Sequence, residues 1–166
     1  MNVVESSLDP SSFKLGMRRL ASGVSLITTR DDADMPHGMI ATSVVSVSAE
    51  PPTLLVCVNK SASCHDVIDS KGLFCINLLS DGDDEIAQIF SSSKTRDIRF
   101  ARGDWREMTT GAPAYAGSLA SFDCEVRSRV EAGSHTIFIG QVVDTQLWVD
   151  VVQPLIYLNG AYARCA

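Results

Sequence analysis

The sequence predicts a small, mostly antiparallel β-barrel (mostly β, α+β class) with short peripheral helices. Three observations carry this expectation. Six or seven short strand-like segments are interleaved with only two or three short helical ones. Residues 122–131 alternate between apolar or small and charged side chains, the period of a strand with one buried and one wet face. The elements also lack the strict strand–helix alternation of a parallel sheet.

In chain order, residues 11–21 read as a helix, with Phe13, Met17, Leu20 and Ala21 on one face and Ser11 or Ser12 as the cap. Gly23 ends it, and residues 24–29 form a strand before the acidic turn Asp31-Asp32-Ala33-Asp34. Residues 39–48 are expected as one hydroxyl-rich strand, stopped by Pro51-Pro52, and residues 54–58 as an apolar strand buried on both faces. A two-turn helix over 63–70 leads to a second buried strand at 73–79. Asp81-Gly82-Asp83-Asp84-Glu85 then opens a helix with the stripe Ile86, Ile89, Phe90; its carboxylates suit the helix dipole, and their spacing is not that of a calcium loop. After the alternating strand, Gly133-Ser134 turns the chain back into an antiparallel partner at 136–143. A last strand at 155–157 precedes the turn signal Asn159-Gly160.

The chain has 166 residues, 45% hydrophobic and 20% charged, enough for one core. Residues 11–166 are expected as a single domain behind a flexible N-terminal tail at 1–10. The net charge of −6 offers no basic face to nucleic acid, though a local cluster could still hold a small anion. No apolar run reaches the roughly 18 residues of a membrane span, and Met1-Asn2-Val3-Val4-Glu5 does not read as a signal peptide. Five cysteines without a CxxC pair read as reduced thiols, hence a cytoplasmic location.

Several chemistries have no motif to stand on. GxGxxG opening a helix, GxxxxGK[ST], GxSxG and HExxH are all absent, and His37, His65 and His135 lie far apart, so no metal site is expected. Three features remain. The hydroxyls of residues 42–48 suit the polar edge of a flat heterocycle, and equally a half-exposed strand. Asn59-Lys60-Ser61-Ala62-Ser63, before a helix, suits a phosphate or a capped turn, and the loop at 94–99 offers a second anion clamp or plain solvation. His135, at a hairpin mouth, can stack on a ligand or simply end a strand.

Taken together these stretches resemble the short-chain flavin reductases, the reductase components of two-component flavin-dependent monooxygenases. The resemblance runs from Phe13 to Tyr162. It is carried by Ala21-Ser22-Gly23-Val24, by residues 38–48, by Pro51-Pro52-Thr53 and the strand after it, and by Phe74-Cys75-Ile76-Asn77. Further carriers are Arg99-Phe100, Gly117-Ser118-Leu119-Ala120, Gly133-Ser134-His135-Thr136, and Pro154-Leu155-Ile156-Tyr157 with Gly160 and Tyr162.

That resemblance implies an FMN-binding split barrel, a homodimer with flavin near the subunit interface, and hydride transfer from NADH, or NADPH, to FMN or FAD. The cofactors then carry the chemistry and the protein orients them. It further implies that reduced flavin passes to a separate monooxygenase component. By position, Ala41, Thr42, Ser43, Ser46, Val47 and Ser48 would line the flavin ring. Cys57, Asn59, Lys60, Ser61 and Ser63 would follow the ribityl chain and phosphate, with Lys60 and Ser61 touching the anion. Arg96 and Phe100 would approach the flavin tail, and His135 and Tyr162 the nicotinamide. Two positions depart from the family pattern: Ile40, where threonine is common, and Ser134, where an acid precedes the histidine. Two other readings stand beside this one: a flavin-binding or electron-transfer protein without turnover, and a reductase that keeps its flavin and reduces another acceptor.

Overall fold

Seven strands form one antiparallel sheet in the computed structural model, which describes residues 8–165. Along the chain they are β2 (Ser25–Arg30), β3 (Pro36–Ala41), β4 (Val45–Ala49), β5 (Pro52–Asn59), β6 (Leu73–Leu78), β9 (Ala120–Ala132) and β10 (His135–Leu147). Their order across the sheet is β3-β2-β6-β9-β10-β5-β4. The two edge strands, β3 and β4, are consecutive in sequence and joined only by residues 42–44. The sheet must therefore curl until its edges meet at that link, which makes a barrel split along one seam. This is the split barrel that the resemblance implies.

Local chemistry sets the corners. Between β2 and β3 the Asp31 carboxylate accepts the N–H groups of Ala33 and Met35 at 2.9 Å each and lies 2.8 Å from His37 Nε2. Helix α2 (His65–Lys71) stops at Gly72, whose φ of 68° is a left-handed cap. The barrel interior holds Ile27, Val56, Phe74, Ile76 and Phe138, joined by Cys64 and Ile68 from the α2 segment. At Gly140, beside a register shift in the β9–β10 pairing, a Cβ would stand 2.6 Å from the Phe74 ring; only glycine lets β10 pass there.

Outside the barrel, helix α3 (Asp84–Ser91) buries Ile86, Ala87, Ile89 and Phe90 against Val24, Leu26, Leu79, Tyr115 and Leu155. A 3-10 turn (Ser93–Ile98) follows. The small hairpin β7 (Trp105–Glu107) and β8 (Pro113–Tyr115) packs beside it. Helix α1 (Pro10–Met17), β1 (Ser22–Gly23) and the closing hairpin β11 (Ile156–Leu158)–β12 (Ala161–Ala163) complete the chain.

The structure corrects several expectations. Helix α1 starts at Pro10, is capped by Asp9 rather than Ser11 or Ser12, and ends at Met17; its Phe13 and Met17 stay 59% and 48% exposed. The expected N-terminal tail lies largely outside the described residues. The hydroxyl-rich run 39–48 is two strands, because Ser43 leaves β3 to bind the backbone of Cys57, accepting its N–H and donating to its carbonyl, both at 3.2 Å. Strand β5 buries Val56 and Val58 on one face only, and Cys57 is half-buried. The turn at Asn159-Gly160, both with positive φ, leads to β12, a further strand that sequence patterning did not supply.

On β9 the alternation fails at both ends. Val130 is 47% exposed because β9 and β10 run on beyond the barrel, and Asp123 on the expected wet face is fully buried. The segment between β7 and β8 covers it: Thr110 donates its N–H and its hydroxyl to the Asp123 carboxylate, each at 2.6 Å. Burial raises the Asp123 pKa above the ordinary aspartate value, the Thr110 bonds partly opposing it. A raised carboxyl pKa gives stability that is complete below the unfolded value and lost as pH rises through the folded one. Asp123→Asn should therefore flatten the fall in stability above pH 4. Urea midpoints of variant and parent that run parallel from pH 4 to 7 would contradict this.

Candidate functional site

A cleft of about 620 Å³ opens where the barrel seam meets the outer elements. Strand β3 contributes Gly38, Met39 and Ile40, and the link at the seam contributes Thr42. Ser61, Ala62 and Ser63 come from the turn after β5, Phe90 and Ser91 from the end of α3, and Ser93 and Arg96 from the 3-10 turn. Arg99, just beyond that turn, and the β11–β12 hairpin with Tyr157, Gly160, Ala161 and Tyr162 complete the wall. The size suits a small-molecule ligand, and the lining combines an apolar floor with a few convergent polar groups. Among the described residues, no carboxylate, histidine or cysteine belongs to that lining. The cleft can stack, hydrogen-bond and neutralise a ligand, but its lining offers no carboxylate, imidazole or thiol for acid–base or nucleophilic work.

Arg99 is the strongest electrostatic feature. It is 7% exposed, and its two terminal nitrogens donate to the carbonyls of Gly38 and Ser92 at 2.9 Å each. Its guanidinium carbon lies 5.7 Å from the centre of the Phe90 ring. Burial first, and the charge of Arg96 second, hold its pKa below the ordinary arginine value, yet a guanidinium remains charged at neutral pH. Among the described residues its Nε is buried without a partner. A nearly buried cation in a cleft wall, with Arg96 beside it, fits a ligand that brings an anion.

The sequence-predicted residues divide. Thr42, Ser61, Ser63, Arg96 and Tyr162 meet in the cleft. Ala41 points into the barrel core, and Phe100 stands behind the wall, 5.1 Å from Phe90 and 4.7 Å from Trp105 between ring centres. Ser43 is tied to Cys57 as described, and Ser46, Val47 and Ser48 lie on the edge strand β4. Asn59 shapes the turn by accepting both the N–H and the hydroxyl of Ser61, at 2.9 and 2.8 Å. Lys60 reaches the other way, to Glu131 at 2.5 Å, and His135 sits opposite Asn59 at the hairpin mouth with Nδ1 2.9 Å from the Ser134 hydroxyl. None of these residues from Asn59 onward, Ser61 apart, walls the cleft.

Sequence reasoning missed Gly38, Phe90 and Tyr157 as site residues, and it held Arg99 only as the last residue of the loop at 94–99 that could clamp an anion. Gly38 has a legible cause only in three dimensions, since a Cβ there would lie 2.8 Å from the Phe90 ring. Three of the thiols are poor nucleophiles: burial pushes Cys64 and Cys124 up to about 12 and holds Cys75 well above the ordinary thiol value.

Residues 17–166 match the family described as flavin reductase like domain. The FMN reductase (NADH) RutF 1 of Methylorubrum extorquens (strain PA1) is 43% identical over 131 residues, 79% of this chain and 64% of that protein. The FMN reductase (NADH) RutF of Agrobacterium fabrum (strain C58 / ATCC 33970) is 39% identical over 158 residues, 95% of this chain and 88% of the relative. Among solved structures, BorF, the flavin reductase component of a bacterial two-component tryptophan halogenase, superposes with a TM-score of 0.85 at 32% identity, covering 94% of this chain and 98% of BorF. The chain thus spans about two-thirds or less of the first Methylorubrum relatives and nearly all of BorF.

Proposed function

We propose that this chain, which belongs to the flavin reductase like domain family, is an NADH-dependent flavin reductase that takes FMN as its flavin and releases it reduced for a separate oxygenase component. One observation carries the reading: the nearly buried Arg99 and the exposed Arg96 share the wall of a cleft that also presents Met39, Ile40 and Phe90. Flavin stacking needs the apolar floor, and the FMN phosphate needs a fixed cation. Arg99 and Arg96 hold that phosphate. Thr42, Ser61 and Ser63 supply hydroxyls for the ribityl chain and the ring edge, and Tyr157 and Tyr162, 5.9 Å apart between ring centres, flank the nicotinamide.

Bound flavin and nicotinamide supply the redox chemistry, a hydride passing from nicotinamide C4 to flavin N5. The lining residues bind, orient and shield, which accords with a lining that, among the described residues, holds no carboxylate or imidazole. The names of the relatives, with FMN and NADH in them, support the choice of flavin and donor. BorF serves as the reductase component of a two-component system, which supports delivery to a partner oxygenase. A homodimer belongs to the same reading: edge strand β4 presents Val45 and Val47 about half exposed, an uncovered strand that a second copy can cover. No helix among the described residues is long and apolar enough to cross a membrane.

The test is NADH oxidation by the purified protein, followed by absorbance, with and without added FMN. Free FMN should multiply the rate. Flavin that survives gel filtration, with no response to added flavin, would replace this reading by a reductase with another acceptor. No oxidation with any flavin would leave a binding protein.

A further inference from the structure

We propose that a smaller cavity beside the cleft is a second ligand subsite, in which Lys14 and Arg18 on α1 and just past its end hold the adenylate arm of a dinucleotide. The inference rests on the flavin reductase reading and adds to it a site outside the cleft. The cavity measures about 300 Å³ and is lined by Phe13, Lys14, Met17, Arg18 and Leu20 together with Ser22 and Asn159. Thr42 and Tyr157 belong to the walls of both cavities, so an elongated ligand can run from one into the other past these two side chains.

Charge marks this cavity. Nearly every Lys and Arg of this acidic chain is engaged with a carboxylate or a carbonyl. Among the described residues the exceptions are Lys14 and Arg18 here, Arg96 at the main cleft, and Lys94 on the same 3-10 turn but outside the lining. Lys14 and Arg18 are four residues apart, a spacing at which like charges repel on a helix, and an anion between them relieves that repulsion. Arg18 stands at the partition between the cavities: its Cζ is 3.4 Å from where a Cβ on Gly160 would lie, and Gly160 walls the main cleft.

The apolar side of the cavity identifies what accompanies the anion. Phe13 and Met17 are also four residues apart, both about half exposed, and together they offer a ring and a polarisable thioether to a flat heterocycle. A purine joined to phosphate satisfies both halves. FMN has no such arm; FAD and NADH both do.

The experiment measures FAD and FMN dissociation constants, the NADH KM with FMN as acceptor, and direct binding of ADP, in the parent, Lys14→Ala and Arg18→Ala. Lys71→Ala, paired to Asp32 away from both cavities, is the control. A charge-assisted hydrogen bond lost from each variant should weaken ADP about tenfold. A matching rise in the FAD-to-FMN ratio assigns the arm to flavin; a matching rise in NADH KM assigns it to the nicotinamide donor. ADP binding within twofold of the parent in both variants overturns the subsite. Parent protein that binds ADP but oxidises no NADH would instead sink the reductase reading and leave the subsite standing.

Discussion

Arg99→Ala should lower the affinity for FMN by about 100-fold while weakening riboflavin far less. The magnitude follows from losing a buried, charge-assisted contact to phosphate, about 2–3 kcal/mol. Two effects mix in this variant, because Arg99 also ties Gly38 of β3 to Ser92 at the start of the 3-10 turn. Loss of those bonds loosens the cleft wall for any ligand. The comparison of the two flavins separates the effects, since riboflavin shares the ring but lacks the phosphate. Arg99→Lys keeps the charge and gives up the forked geometry, so it should recover part of the FMN preference and little of the wall. Equal weakening of FMN and riboflavin in both variants would remove Arg99 from the phosphate and leave it a strut.

What the sequence made legible was governed by local period and local chemistry. The stripe Ile86, Ile89, Phe90 forecast the buried face of α3, and Gly133-Ser134 forecast the β9–β10 hairpin, because each signal lies within a few residues of its effect. The break at residues 42–44 has a distant cause. Ser43 finds its partners on Cys57, and the sheet edges meet there only because five other strands lie between them. Arg96 and Arg99 show the same limit at the site. Both are arginines in one short loop, and only the packing of α3 against β3 decides that one is buried with a free Nε while the other stays exposed at the cleft. Lys60, with two hydroxyls beside it, read as an anion clamp; its pairing with Glu131 depends on β5 and β10 lying side by side. The resemblance nevertheless named five residues of the cleft, since family position carries the long-range information that periodicity lacks.

Asn77→Leu should lower Tm by about 10 °C and, with it, blur the cleft. Asn77 is fully buried in β6, and every polar atom of its side chain is used. Its amide donates to the Leu26 carbonyl at 2.9 Å and the Thr28 hydroxyl at 3.2 Å; its oxygen accepts the Tyr115 N–H at 2.8 Å and the Ser121 hydroxyl at 2.7 Å. Leucine has similar bulk but leaves these groups unpaired in the interior, about 3 kcal/mol for the Tyr115 N–H and its neighbours. In a domain of this length that is a shift of about 6–12 °C. The consequence for the site runs through aromatic rings. Tyr115 touches Trp105 at 5.4 Å, Trp105 touches Phe100 at 4.7 Å, and Phe100 meets Phe90 edge-on at 5.1 Å. Phe90 is both a wall of the cleft and the ring beneath Arg99. Releasing Tyr115 from Asn77 frees the far end of that stack, so the variant should bind FMN more weakly even at temperatures where it stays folded. Ser121→Ala removes one bond of the same hub and also the acceptor of the Trp148 indole N–H at 2.8 Å, so it should cost about two-thirds as much. A Tm within 3 °C of the parent for Asn77→Leu would mean that the sheet holds Tyr115 without it, and that the cleft wall stands on α3 alone.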